Sequence, residues 1–185
     1  MISKILAVSE AQRIDWSDTM VQCLKASDAW LPASGYVALF GGARTEPDIL
    51  ALIPWLYERG VGVAFFGIEA EAMYAYGIES IEDLRVGKYG VLEPDKHSCS
   101  RLATADLGVV LTPGIAFEAV SGHRMGRGAG YYDRFFSSPG CRARRIGVGF
   151  SLQFSESLDV EAHDIPMQDF MTEKGWLQVV KSATP

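Results

Sequence analysis

Between residues 111 and 136 the chain reads LTPGIAFEAVSGHRMGRGAGYYDRFF. Gly126, Gly128 and Gly130 alternate there with Arg127 and Ala129, with Arg124 and Met125 before them and Tyr131-Tyr132-Asp133-Arg134 after. Glycines this dense leave no side chains to hold a ligand away from the backbone, and they permit positive φ angles. Successive N–H groups can then converge on an anion, the more so if a helix starts directly after the loop. Arg124 and Arg127 add forked donors suited to phosphate or carboxylate oxygens. A tight turn with no ligand has the same spacing, and G-x-G-x-G is neither the dinucleotide fingerprint nor the Walker loop. Local charge favours the anion. Residues 121–145 hold six arginines and one acid, Asp133, in a chain of formal net charge −6. A basic island in an acidic chain is the footprint of an anion site. The loop is read as one that binds phosphate.

Two acidic residues could complete such a site. Asp133 follows the cationic loop directly, and a carboxylate beside bound phosphate suits Mg²⁺, which bridges protein and phosphate oxygens. A salt bridge to Arg134 or Arg127 is the plainer use of the same residue. Glu46 sits at the start of an expected helix, where the helix dipole alone favours an acid.

The elements that position these residues follow from periodicity. Ser9 and Gln12 have the form of a capping box. The helix it opens carries Ile14, Met20, Val21 and Leu24 on one face and stops before Pro32. Residues 36–40 are a short apolar run bounded by glycines and read as a buried strand. Thr45 and Asp48 suggest a second capping box with Pro47 in the first turn. Apolar spacing continues that helix to Gly60. Residues 61–66 are a second buried strand, and strand, helix, strand in about thirty residues is the βαβ pattern of a parallel sheet. Residues 80–84 read as a short helix, 107–111 and 146–150 as further strands, 131–136 as the start of a helix, and 170–172 as a last short strand. The expected architecture is one α/β domain over residues 1–185, three layers, with a mostly parallel central sheet and helices on both faces. Ligands of such sheets bind outside the carboxyl ends of the strands. The stretches 41–46 and 113 onward both fall there.

Composition narrows the class. With 185 residues, 48% of them hydrophobic, the chain can bury a substantial core. Its acidity argues against non-specific nucleic-acid binding. No apolar run approaches the roughly 20 residues that span a bilayer. The apolar opening, residues 1–8, is too brief for a signal peptide. Cys23, Cys99 and Cys141 lack metal-ligand spacing and read as reduced thiols. The expectation is a cytoplasmic protein, a monomer or weak homodimer, with no nucleic-acid or membrane partner.

The run PGIAFEAVSGHRMGRGAGYYDRFF also resembles the signature of the 5-formyltetrahydrofolate cyclo-ligase family, roughly P-G-[LIV]-[AG]-F-D, a short turn, then R-L-G-x-G-x-G-[YF]-Y-D. Met125 stands for the usual Leu and Glu118 for the usual Asp. The run IGVGFSLQFSESLDVEAHDIPMQDFMTE resembles the family's second block, with Gln153, His163-Asp164 and Thr172-Glu173 in register, and GKYGVLEP at 87–94 also matches. The likeness covers about residues 8 to 175. It implies an ATP- and Mg²⁺-dependent enzyme that converts 5-formyltetrahydrofolate to 5,10-methenyltetrahydrofolate. It implies nucleotide contacts from Arg124, Met125, Gly126, Arg127, Gly128, Ala129, Gly130, Tyr131 and Tyr132, with Arg127 and Tyr132 in catalytic roles. It puts Gly41, Glu46 and Tyr89 at the folate, Glu46 holding the pterin ring, and Asp133 and Asp164 at the metal. Tyr89 reads equally as a half-buried core tyrosine, and His163 as a structural neighbour.

Three departures keep a second function open. The family's opening helix carries a K-x-x-x-R-type pair for ATP phosphates, and residues 9–24 have no counterpart for it; Lys4 lies too close to Ser9. The proline and basic residue usual after the second strand are replaced by Phe66-Gly67. Asp159 stands where proline is common. The true start could lie upstream, Arg144 or Arg145 could compensate, or the chain could bind folate or nucleotide without efficient turnover.

Overall fold

Ser9 opens the first long helix. Its hydroxyl accepts from the N–H of Gln12 at 3.2 Å, satisfying one of the donors a helix start leaves free. A short helix α1 (Ile2–Ala7) precedes it, and α2 runs Glu10–Lys25. The structure is a computed structural model that describes residues 1–87 and 90–179. The buried stripe of α2 is Ser17, Met20, Val21 and Leu24, the i, i+3, i+4, i+7 set of one helix face. Ile14 was expected on that face but is 55% exposed, beside a groove lined by residues 42–50.

Strand β1 (Tyr36–Leu39) follows, then helix α3 (Leu52–Tyr57). This helix starts six residues later than the Thr45–Asp48 capping box predicts. Asp48 instead accepts from Leu50 N–H at 3.0 Å and holds a turn. The reason is Pro54: it lacks an N–H and its ring would clash with the carbonyl of residue 50 in a continuous helix. A helix is possible only with Pro54 in its first turn, as observed.

Strand β2 (Gly62–Glu69) pairs with β1 in parallel and continues past Gly67 into a hairpin with β3 (Ala72–Ile78). The turn residues Ala70 and Glu71 both have positive φ, 43° and 69°. That is the twist a two-residue hairpin requires, usually supplied by Asn-Gly. After a 3₁₀ turn at Ile81–Asp83 come β4 (Leu84–Val86) and β5 (Leu92–Pro94), a separate two-stranded ribbon, and then the short β6 (Ser100–Arg101). Strand β7 (Leu107–Thr112) leads into the ribbon of β8 (Ala116–Phe117) and β9 (Arg124–Met125). Helix α4 (Tyr131–Phe136), β10 (Arg144–Val148), β11 (Asp169–Thr172) and β12 (Gly175–Gln178) complete the chain.

The main sheet has eight strands in the order β12-β11-β10-β7-β1-β2-β3-β6. The five from β11 to β2 are parallel; β12 at one edge and β3 and β6 at the other are antiparallel. The pleat sorts side chains between two cores. Val37 and Leu39 of β1 pack with Met20, Leu24, Leu52 and Leu56 of α2 and α3. Ala38, Ala64 and Ala75 face the other way, where Phe135 and Phe136 of α4 meet Phe66. Small residues on that face let a helix of only six residues sit close to the sheet. The expected α/β layering is present.

Strand β10 owes its tight seat to glycine. A Cβ on Gly149 would lie 2.3 Å from the ring of Phe117, and one on Gly147 would lie 2.4 Å from Phe170. Gly149→Ala is expected to cost about 1–3 kcal/mol of stability through overpacking. Urea unfolding should show a lower midpoint at unchanged slope, and an unchanged midpoint would contradict the packing described.

Candidate functional site

The parallel strands end at one wall of a cleft of about 710 Å³. Leu39, Phe40 and Gly41 enter it from β1, Phe65, Phe66 and Ile68 from β2, and Pro113-Gly114-Ile115 from the end of β7. The whole of 124–133 lines the opposite side, and Glu46, Asp159, Glu161, His163 and Asp164 lie on its rim. The two stretches expected to converge therefore share one cavity. Tyr89 falls outside the described residues.

The glycine loop is held at both ends and open in the middle. Before it, Ile115 N–H donates to Met125 O at 2.7 Å. The preceding turn is clasped by the fully buried Gln153, whose Nε2 donates to Gly114 O (2.7 Å) and Ile115 O (3.2 Å) while its Oε1 accepts from Phe150 N–H (2.7 Å). Gln153 is thus a structural clasp for the loop. After it, Gly130 takes φ 62° and caps α4. Gly128 has φ 85°, with nothing within 4 Å of the place a Cβ would occupy. Among the described residues, none of the backbone N–H groups of residues 126–130 has a hydrogen-bond acceptor. Five consecutive free donors on a cleft wall fit the oxygens of an anion.

Arg124 stiffens this wall. Its side chain is only 4% exposed, its Nη2 lies 3.0 Å from Asp133 Oδ2, and its Cζ lies 5.1 Å from the ring centre of Tyr132. The second oxygen of Asp133 accepts from Ile165 N–H at 3.2 Å. Asp133 thus pairs with a buried arginine, a different partner from the Arg134 or Arg127 considered from the sequence. One hydrogen bond to each oxygen leaves part of the acceptor capacity of its carboxylate unused. Arg124 Nε is buried with no partner among the described residues, which leaves unmet donor capacity at the cleft.

Across the cavity stands Glu46, in a turn closed by its own N–H to Ala43 O at 3.0 Å rather than at the helix start expected for it. Arg127 reaches over from the glycine loop and places Nη2 3.3 Å from Glu46 Oε1 and 3.2 Å from Thr45 Oγ1. The Glu46 side chain is 11% exposed and Arg127 53%. Burial pushes the Glu46 carboxyl above its ordinary range, and Arg127 pulls it only part of the way back. Tyr132, edge-on to Phe66 at 5.5 Å, has its phenol pushed far up by burial and by the nearby Glu46 charge. It stays protonated at physiological pH, so its chemistry is that of a hydrogen-bond donor and not a base.

The far rim is acidic. Asp164 Oδ2 accepts from Glu161 N–H at 2.8 Å, and its Oδ1 is 3.9 Å from His163 Nε2. No group of three or more His, Cys, Asp or Glu side chains among the described residues is placed to hold a metal ion. Asp133, Asp159, Glu161 and Asp164 all line the cleft near the loop. Arg144 and Arg145 do not compensate for the absent basic pair. They begin β10, at the end of the strand away from the cleft, where Arg144 is 2.8 Å from Asp169 and Arg145 donates to Pro166 O at 2.8 Å.

A three-layer α/β domain with an anion-accepting loop at the carboxyl ends of its parallel strands defines the class. Comparison with known proteins gives the family. The model of the 5-formyltetrahydrofolate cyclo-ligase family matches residues 4–173, and the chain belongs to that family. It is 34% identical over 111 residues to the 5-formyltetrahydrofolate cyclo-ligase of Saccharomyces cerevisiae, a match covering 55% of this chain and 51% of the yeast protein. The chain thus spans about half of that relative's length in the match. The cyclo-ligase of Escherichia coli is 28% identical over 145 residues, 76% of this chain and 79% of that one. The solved 5,10-methenyltetrahydrofolate synthetase of Aquifex aeolicus superposes with a TM-score of 0.83 at 29% identity, covering 100% of this chain and 91% of that one.

Two outcomes follow from these electrostatics. Because the folded chain binds the Glu46 proton more tightly than the unfolded chain does, stability falls as pH rises from the ordinary carboxylate range through the raised value. Glu46→Gln should therefore melt no lower than the natural chain at pH 8, with the gap closing as the pH falls toward 4; a variant several degrees less stable at pH 8 contradicts this. Asp133→Ala strands a buried guanidinium and should cost about 3–5 kcal/mol. That loss should appear in urea unfolding with or without Mg²⁺, and a variant as stable as the natural chain would contradict the pairing.

Proposed function

We propose that the protein closes the ring of 5-formyltetrahydrofolate to give 5,10-methenyltetrahydrofolate, with ATP converted to ADP and phosphate. The observation that carries this reading is the row of unpartnered N–H groups at 126–130 facing a cleft whose other wall presents a buried carboxylate. In this reading the loop amides, Arg124 and Arg127 take the nucleotide's terminal phosphates. Glu46 takes the N–H donors of the pterin ring, and Gly41 lies beside the ring at the end of β1. Tyr89 remains a further candidate on the folate side. Phe65, Phe66, Ile68 and Leu92 give the ring an apolar surface.

An amide oxygen is a poor leaving group. Transfer of the terminal phosphoryl group to the formyl oxygen makes it a good one; N10 then attacks the formyl carbon and gives up its proton to solvent, and the C–O bond breaks as inorganic phosphate departs. Such a scheme asks little acid–base work of the protein and much positioning and charge neutralisation. Arg127 spans both halves of the site and is suited to meet charge on the transferring group. Tyr132 can donate its hydroxyl proton in a hydrogen bond to an oxygen at the same place. Asp133 and Asp164 would hold Mg²⁺ beside the phosphates, and the ion would supply neutralising charge there.

Purified protein given 5-formyltetrahydrofolate, ATP and Mg²⁺ should develop the near-ultraviolet absorbance of the methenyl product together with stoichiometric ADP. Binding of both ligands with neither signal would instead indicate a folate- and nucleotide-binding protein without turnover.

A further inference from the structure

Arg134 has no part in the chemistry above. It is not among the residues lining the cleft, and its side chain is exposed. Its guanidinium nevertheless joins two separate pieces of the chain, the stretch 129–131 and the hairpin tip at Glu71. Nη1 donates to the carbonyl of Ala129 at 2.7 Å, Nη2 donates to the carbonyl of Glu71 at 3.2 Å, and Cζ lies 5.1 Å from the ring centre of Tyr131.

The first contact bears on the phosphate loop. A trans peptide points its C=O and the following N–H in opposite directions. Drawing the Ala129 carbonyl onto Arg134 therefore turns the Gly130 N–H away from the guanidinium, as one of the five free donors. The next carbonyl, of Gly130, is fixed on the same side by Arg134 N–H at 3.0 Å. A Cβ on Gly130 would lie 3.0 Å from Arg134 Nη1, so glycine is what lets the side chain come this close.

The second contact bears on the other ligand's wall. Glu71 stands at the tip of the β2–β3 hairpin, where it and Ala70 hold positive φ angles that side-chain-bearing residues rarely adopt. Just below the tip, the cross-strand pair Ile68 and Met73 lines the cleft. Holding the Glu71 carbonyl holds that pair in register with the loop.

We infer that Arg134 is a positioning residue: it orients the Ala129–Gly130 peptide to receive phosphate and ties the loop to the hairpin that walls the folate side. This rests on the ATP and folate reading of the cleft. It has a consequence the cleft residues alone do not require, that nucleotide and folate affinities are linked through one side chain outside the cleft. Lysine cannot replace it, because a single ammonium group lacks the planar fork that reaches two carbonyls at once.

The test is calorimetric titration of the natural chain, Arg134→Ala and Arg134→Lys with a non-hydrolysable ATP analogue and Mg²⁺, alone and with saturating 5-formyltetrahydrofolate. In the natural chain folate should tighten nucleotide binding. Arg134→Ala should bind nucleotide about tenfold more weakly, the scale of one charge-assisted hydrogen bond, with its melting temperature unchanged because the side chain is exposed. Arg134→Lys should recover part of the affinity for nucleotide alone and none of the tightening by folate. Natural-chain affinities that ignore the second ligand, or an Arg134→Ala variant that binds as the natural chain does, would overturn the inference while leaving the cleft reading intact. A natural chain that binds neither ligand would overturn the cleft reading itself.

Discussion

An amide N–H shut away from water without an acceptor costs about 1–3 kcal/mol, and this chain carries five N–H groups with no protein acceptor in a row at residues 126–130 among the described residues. That constraint orders the rest of the site. The loop cannot pack against protein, so it must stay on an open wall, and it stays there only because its ends are fixed. Gln153 clasps the turn before it, the Arg124–Asp133 pair anchors the strand leading in and the helix leading out, and α4 seats its two phenylalanines on the alanines of the sheet. A rigid parallel sheet supplies the reference against which these parts are held.

The same arrangement explains why the cleft has two unlike halves. On the loop side donors outnumber acceptors. On the side of Glu46 and β2 the surface is largely apolar, and burial makes the Glu46 carboxylate reluctant to ionise. Arg127 currently closes the gap by pairing with Glu46, an interaction that a more anionic partner can displace because the arginine is half exposed. A site that receives a polyanion and a flat polar ring side by side needs this asymmetry.

Much of this was legible in the residues. Glycine density with arginines pointed to the loop, and short apolar runs between turn signals located the five parallel strands. What periodicity could not supply came from particular residues acting against the local pattern. Pro54 moved the start of α3 and so took Glu46 off a helix terminus. The β2–β3 hairpin was hidden because Ala70-Glu71 carries none of the glycine or asparagine that marks such turns. The partner of Asp133 was hidden because sequence spacing does not reveal that Arg124, nine residues earlier, is folded back against it across the ribbon and the loop. Arg134 gave no signal at all, since its partners are backbone carbonyls.

The central claim is that those five amides are the phosphate contacts. Amide-resolved NMR of the natural chain titrated with MgADP tests it directly. The account predicts that the largest amide shifts fall on residues 126–130, with smaller changes at Arg124 and Arg127 side chains. Shifts concentrated elsewhere, with the signals of 126–130 unmoved at saturation, would contradict it.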